Sequence, residues 1–209
     1  MILLYLMRLI LLLLLLISTF GEGKRKKIHK RVGFRADPEG LQVAVKAAPF
    51  YISYNTFSRA FVRTRGLFAP KAPIPGNETY SLMMHALIES PLLDNKSQLA
   101  DFLGYIFWTS KGLTVKEWPK TTLSIPSFHA RGYAGISGPE AYRSLSQRLY
   151  GDDRLAIAPE LLLIDERVNW RASLLYWNTK DKNPNQSVQK ITKILKSYFQ
   201  SSYSTNNKA

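Results

Sequence analysis

Apolar residues recur at helical spacing along most of this chain, and this recurrence limits the fold more than any other feature. In "LADFLGYIFWTSKGLTVKEW", residues 99–118, one helix face carries four apolar residues at the i, i+3, i+4 and i+7 positions: Leu99, Phe102, Leu103 and Ile106. The pattern then ends in the polar turn "TSKG", since glycine and small polar residues favour turns. The segment predicts a buried helix that leads into a turn.

The same spacing predicts further helices on either side of this segment. One begins after Ser53, one runs from an N-cap at Thr79 through Glu89, and the helix quoted above begins at Asn95 or Ser97. Pro139 is expected at the first position of another helix. The segment "PELLLIDERVNWRASLLYW" predicts a short helix and then a longer one. In "SVQKITKILKSYF" the residues expected to face inward are Val188, Ile191, Ile194 or Leu195, and Tyr198.

One segment departs from helical spacing. "TVKEWPKTTLSIPSFHARGYAGIS" combines prolines with β-branched residues, which predicts a loop with one or two short strands. The fold class predicted for the chain is therefore mainly α, with about six to seven helices and a small β element beside a cleft.

The first 23 residues are typical of a secretory signal peptide. They contain an apolar run from Leu9 to Ile17 and small residues at Gly21 and Gly23, with a plausible cleavage after Gly23. A membrane anchor over Ile2–Phe20 is the alternative. Three N-glycosylation sequons, at Asn77, Asn95 and Asn185, fit a secreted chain. We therefore expect secretion, with no stable membrane insertion once the leader is removed.

The expected organisation has four parts. Residues 1–23 form the signal peptide, residues 24–52 a basic arm and linker, residues 53–199 the folded domain, and residues 200–209 a disordered tail. The chain contains no cysteine, so disulfides and thiol chemistry are excluded and the core alone must hold the domain together.

The formal net charge of +14 is concentrated in part in "KRKKIHKRVGFR", Lys24–Arg35, which holds seven positive residues. Three interpretations of this run are open: a solvated arm, a surface that docks on anionic partners, or a cleavage site for a basic-specific protease. Nucleic acid is not expected as a partner, since the aromatic residues do not alternate with the basic ones as a stacking platform requires.

Several short motifs, in the order in which they occur, resemble those of the catalytic domain of family 19 glycoside hydrolases, the chitinases and chitinase-like proteins. "FLGY" at residues 102–105, followed by Ser110 and Gly112, resembles the family word FLAQ-x-x-HE-[ST]-x-GG. "RGYAGISG" at residues 131–138 resembles RG-[YP]-IQL-[ST]-G, with Tyr142 after it. "APELLLIDERVNWRASLLYW" resembles a later helix of the family, and the resemblance extends over residues 54–198.

The resemblance implies a lysozyme-like α+β domain and an inverting glycosidase site with two glutamates. Glu117 stands where the family has its general base. Trp108 and Thr109 occupy the family's His-Glu pair, so the general-acid position is Thr109, whose hydroxyl does not titrate in the useful range. Gly135 replaces a substrate-contacting Gln, and Ala141 replaces an Asn.

Four more residues are candidates for the site. Trp108 and Tyr133 are candidates for contact with sugar, Ser137 matches the small hydroxyl that helps to hold the base and water, and Glu140 is the carboxylate considered as a replacement for the missing acid. Trp108 and Tyr133 also read as core residues. No metal and no cofactor are expected, because His85 and His129 show no partner at metal-ligand or triad spacing.

The sequence thus predicts a secreted chitinase-like protein that acts on or binds a β-1,4-linked N-acetylglucosamine polymer, chitin or a related wall glycan. Hydrolysis is expected to be weak or lost, because general acid catalysis typically contributes ~10²–10⁴-fold. The alternatives are an active inverting endo-glycosidase and a non-catalytic secreted effector that binds glycan or protein and carries a basic arm.

Overall fold

A computed structural model describes residues 47–90, 92–120, 126–180 and 184–201, all within the unit Pro38–Ala209. The described ranges contain eight α-helices: α1 Tyr54–Thr64, α2 Asn77–Ile88, α3 Lys96–Thr109, α4 Pro139–Tyr150, α5 Arg154–Ile157, α6 Leu161–Ile164, α7 Glu166–Thr179 and α8 Gln186–Ser201. Two 3₁₀ turns, Arg65–Leu67 and Pro126–Phe128, accompany them. The predicted mainly α fold is confirmed.

The predicted leader at 1–23, the basic run Lys24–Arg35 and the end of the tail lie outside the described residues. The domain boundaries stay predictions, although Phe50 and Ile52, which precede residue 53, are buried in the core. None of the helices in the described ranges has the length and hydrophobicity that a bilayer crossing needs.

Several of the helix starts are fixed by residues that the sequence displays, and α1, α3 and α7 begin at side chains that cap them. The Asn95 side chain accepts a hydrogen bond from the Gln98 amide and begins α3, as predicted. Pro139 occupies the first turn of α4, as predicted. The predicted cap at Thr79 is wrong: the N-cap of α2 is Gly76, three residues earlier, and the helix begins at Asn77.

Helix α3 lies at the centre of the core, packed against α7 and α8. The four residues of its predicted stripe are all fully buried, together with Phe107. Gly104 lets α8 approach closely, since a Cβ on this residue would lie 2.3 Å from Thr192 Oγ1. Small residues at a helix crossing permit this kind of contact, so Gly104 sets the distance between α3 and α8.

The inward face of α8 differs slightly from the predicted one. Its buried residues are Val188, Ile191, Leu195 and Phe199. Tyr198 is only half-buried, and Ile194 is half-buried beside Leu195. The stripe therefore ends on Phe199, which continues the i, i+4 spacing from Leu195.

The predicted small β element is not seen as a sheet in the described residues. Arg131 instead forms two isolated antiparallel bridges, one with Glu117 and one with Ile136. The Trp118 amide donates to the Ala130 carbonyl at 3.1 Å, and the Gly132 amide donates to the Lys116 carbonyl at 2.8 Å. These bonds place the segment after α3 beside residues 130–132.

Candidate functional site

Helix α3 ends in a run of left-handed backbone. Lys111, Gly112 and Leu113 have φ angles of 48°, 71° and 65°. Ser110 supports this turn, because its hydroxyl donates to the Ile106 carbonyl at 2.6 Å and accepts from the Leu113 amide at 2.9 Å. Gly112 is required twice over: its φ favours glycine, and a Cβ there would lie 2.6 Å from the Phe68 ring. The predicted turn after α3 is thus an unusually constrained one.

Thr109, the predicted vacated acid position, ties the end of α3 to the segment 131–136. Its hydroxyl lies 2.9 Å from the Tyr105 carbonyl and 2.7 Å from the Tyr133 carbonyl. Carbonyl oxygens only accept hydrogen bonds, so the single proton of Thr109 is engaged with backbone. One turn earlier, the Tyr105 hydroxyl donates to the Ala134 carbonyl at 3.0 Å.

A groove lies beside this junction, and we call it the tryptophan groove. It has a volume of about 580 Å³, and its lining includes Tyr105, Trp108, Trp118, Ser137 and Lys180. A second hollow of about 530 Å³ adjoins it, since the two share Tyr105, Trp108, Thr109 and Lys180. Aromatic rings with a few polar groups around a concave surface are typical of ligand-binding sites.

Glu117 lies in a separate cluster with one histidine and one arginine. His129 Nε2 is 2.6 Å from Glu117 Oε1, and Arg131 Nε is 3.8 Å from the same oxygen. An ionised carboxylate only accepts hydrogen bonds, so Nε2 carries the proton. The hydrogen bond from His129 is the largest of the effects that hold the pKa of Glu117 below its usual 4.5. Glu117 is therefore kept ionised while its side chain stays about half exposed.

The cluster and the tryptophan groove occupy opposite sides of the same extended segment. Successive side chains of an extended chain point to opposite faces. Trp118 and Ala130 line the groove, whereas Glu117 contacts His129 and Arg131, the residues that flank Ala130. Glu117 is not among the residues that line the groove. Its predicted role as a general base stays a prediction.

Tyr133 is buried, with 3% of its surface exposed. Its hydroxyl donates to Glu166, its amide donates to Asn169 Oδ1 at 2.9 Å, and its ring packs on Trp170 with centroids 4.7 Å apart. Burial and the hydrogen bond to Glu166 raise the pKa of this phenol. Tyr133 is not among the residues that line the groove, and its contacts with α7 hold the segment 131–136 in position.

The two remaining candidates, Ser137 and Glu140, lie in different places. Ser137 is exposed on the groove wall. Glu140 lies at the start of α4, where its carboxylate is 89% exposed and pairs with Arg143 at 3.0 Å. Glu140 does not line the groove. Of the six predicted site residues, the structure thus brings three to the groove: Trp108, Thr109 and Ser137.

Sequence reasoning did not find the partner of His129. The two residues of the Glu117–His129 pair stand twelve positions apart, and no local spacing links them. They meet because the bridge between Glu117 and Arg131 brings His129, two residues before Arg131, to the same side of the segment. The groove residues Trp118, Tyr176 and Lys180 were also missed, since the end of α7, which carries Tyr176 and Lys180, is far from Trp118 in the sequence.

Comparisons with known proteins give a distant structural likeness and no sequence match. No family model matches the sequence, and no curated protein matches it. Among solved structures, the chain is similar to a bacterial family 19 chitinase at 16% sequence identity, over 74% of this chain and 92% of the other, with a TM-score of 0.37.

The Glu117–His129 contact predicts a measurable change in acidity. Replacing His129 by Leu should raise the pKa of Glu117 toward 4.5, because the largest effect that lowers it is removed. A group with a lowered pKa stabilises the fold above its unfolded pKa, and this stabilisation is lost as the pH falls through the folded pKa. Carboxyl ¹³C NMR titration of the wild type and the variant measures the shift.

The matched control is Lys120→Gln, which removes the weakest of the attractions that lower the pKa of the same carboxylate. Its effect on the pKa of Glu117 should be smaller than that of His129→Leu. An unchanged pKa in the His129 variant would contradict the assignment of His129 as the main cause.

Proposed function

We propose that this chain is a secreted chitinase-like protein that binds a β-1,4-linked N-acetylglucosamine polymer, chitin or a related wall glycan, along the tryptophan groove. The observation that carries the proposal is the pair of indole rings, Trp108 and Trp118, on one concave surface. Flat aromatic faces suit the apolar side of a pyranose ring, and Ser137 and Lys180 provide polar contacts beside them. The resemblance of the short sequence motifs to those of family 19 supports the choice of an N-acetylglucosamine polymer.

We propose further that hydrolysis is weak or lost. An inverting glycosidase uses two carboxyl groups about 6.5–9.5 Å apart across the scissile bond. Within the described residues, no carboxylate lines the tryptophan groove. Asp101 lines only the adjoining hollow, and its carboxylate pairs with Lys196 at 2.9 Å. Thr109 cannot supply the missing acid because its hydroxyl is committed to backbone carbonyls.

An active glycosidase is the second candidate, and one observation favours it. Glu117 is ionised, half exposed and positioned by His129, which are the properties of a general base. This candidate requires the sugar to lie on the Glu117 side of the segment and a second carboxylate to reach it.

Binding of a soluble N-acetylglucosamine hexamer, measured by isothermal titration calorimetry, tests the proposal. Replacing Trp108 by Ala should weaken binding about tenfold, since covering ~60 Å² of ring at about 25 cal/mol per Å² is worth ~1.5 kcal/mol. Trp108→Phe is the control, and it should lose less because it keeps an aromatic face. Equal binding by all three proteins would place the glycan elsewhere, and no binding by the wild type would overturn the proposal.

The same oligomer, followed for turnover, separates the two candidates. We expect no hydrolysis by the wild type and little change in binding for Glu117→Gln. Turnover that Glu117→Gln abolishes would establish an inverting glycosidase and make Glu140 the next target. Retention on insoluble chitin at high salt would show that groove contacts exceed the contribution of the +14 charge.

A further inference from the structure

The outer face of α1 carries a further concave surface, which we call the arginine hollow. It has a volume of about 660 Å³. Its lining includes three arginines, two exposed aliphatic residues and one tyrosine: Arg59, Arg63, Arg65, Val62, Ile74 and Tyr198. It shares no lining residue with the tryptophan groove.

The positive charge of the hollow is not neutralised within the described ranges. None of the ion pairs among the described residues includes Arg59, Arg63 or Arg65. Arg59 and Arg63 stand one helical turn apart, a rise of about 6 Å. Arg63 in the last turn of α1 also interacts favourably with the helix dipole, but Arg59 lies too far from that end for the dipole to explain it.

Exposed aliphatic side chains lie beside the arginines of the hollow. Five large hydrophobic residues are exposed among the described residues, and two of them, Val62 at 39% and Ile74 at 46%, line the hollow. A third, Leu67 at 39%, lies in the 3₁₀ turn Arg65–Leu67 that follows α1. Exposed aliphatic residues that cluster on one surface mark an interaction site.

We propose that the arginine hollow binds the phosphate of an anionic phospholipid, with the aliphatic residues against the acyl chains. The guanidinium fork of arginine matches phosphate oxygens with two parallel hydrogen bonds. A polyanionic glycan would satisfy the arginines but would leave Val62 and Ile74 against polar groups. The lipid accounts for both halves of the surface, and this function is separate from glycan binding in the tryptophan groove.

The test uses the full-length chain and three soluble probes. These are dihexanoyl phosphatidic acid below its micelle-forming concentration, dihexanoyl phosphatidylcholine with the same acyl chains, and inorganic phosphate. Calorimetry should show saturable binding of the phosphatidic acid, much weaker binding of inorganic phosphate and none of the phosphatidylcholine. Equal binding of the two lipids would overturn the proposal, since it would show that acyl chains alone are recognised.

Charge-matched variants assign the binding to the hollow. The double variant Arg59→Gln/Arg63→Gln should bind the phosphatidic acid about tenfold or more weakly. Lys190→Gln/Lys193→Gln removes the same charge from exposed positions of α8 that do not line the hollow, and it should bind as the wild type does. The leader and basic arm are identical in all these proteins, so they cannot produce the difference. An equal loss in both variants would overturn the proposal.

The aliphatic half has its own test. Val62→Ser/Ile74→Ser should weaken binding of the phosphatidic acid and leave the response to inorganic phosphate unchanged. Both side chains are exposed, so the thermal midpoint should change little and serves as the folding control. Unchanged lipid affinity in this variant, or selective loss of a sulfated polysaccharide instead of lipid in the arginine variant, would overturn the proposal.

Discussion

Replacing Trp170 by Ala should lower the free energy of unfolding by about 3–5 kcal/mol. Trp170 is fully buried on α7. Its ring lies 6.3 Å from the Phe102 ring on α3 and 4.7 Å from the Tyr133 ring. The indole therefore joins α7 to the central helix and to the segment beside the tryptophan groove, and its removal leaves a cavity at the meeting point of all three.

Urea denaturation measures this loss, and Trp170→Phe is the matched control. The indole Nε1 is buried and has no hydrogen-bond partner among the described residues, so the change to Phe breaks no hydrogen bond. Trp170→Phe should lower the free energy of unfolding clearly less than Trp170→Ala does. Equal costs would contradict the packing argument. The Ala variant should also bind the N-acetylglucosamine hexamer less tightly, because Tyr133 supports the segment that Thr109 contacts.

Replacing Gly104 by Ala should cost about 1–3 kcal/mol, although alanine favours a helix more than glycine does. The added methyl group would lie 2.3 Å from Thr192 Oγ1 and 3.4 Å from Thr192 Cα. Threonine is β-branched and has few rotamers with which to yield, so α3 and α8 must move apart.

A double-mutant cycle isolates this contact. Thr192→Ala removes the hydroxyl that the new methyl group would meet, so Gly104→Ala should cost less in that background. The coupling energy should fall at about 0.5–3 kcal/mol, the range for residues in direct contact. Gly66→Ala, at a position where a Cβ would meet nothing within 4 Å, is the control for the substitution itself. A cost for Gly104→Ala that does not depend on Thr192 would contradict the close crossing.

The helices of this protein were predictable because their signals are local. The stripe of α3 and its cap at Asn95 lie within one segment, and Pro139 marks the start of α4 without help from the rest of the chain. The predicted cap at Thr79 was wrong because glycine is also a favoured N-cap, and Gly76, three residues earlier, caps α2 instead.

The candidate site was likewise predictable only in part. The position of Trp108 and Thr109 at the end of α3 followed from the sequence. Whether each side chain faces the groove did not, because this depends on which segments pair. The bridge between Glu117 and Arg131 turns Glu117 toward His129 and Trp118 toward the groove.

The amino-acid sequence by itself determined a mainly α domain, the starts of α1, α3 and α4, and the absence of an acid at position 109. The tertiary structure alone decided that Tyr133 is buried, that Thr109 holds a backbone junction, and that two tryptophans share a groove. The physical reason is range: helix formation depends on residues three or four positions apart, whereas a binding surface depends on side chains that only packing brings together.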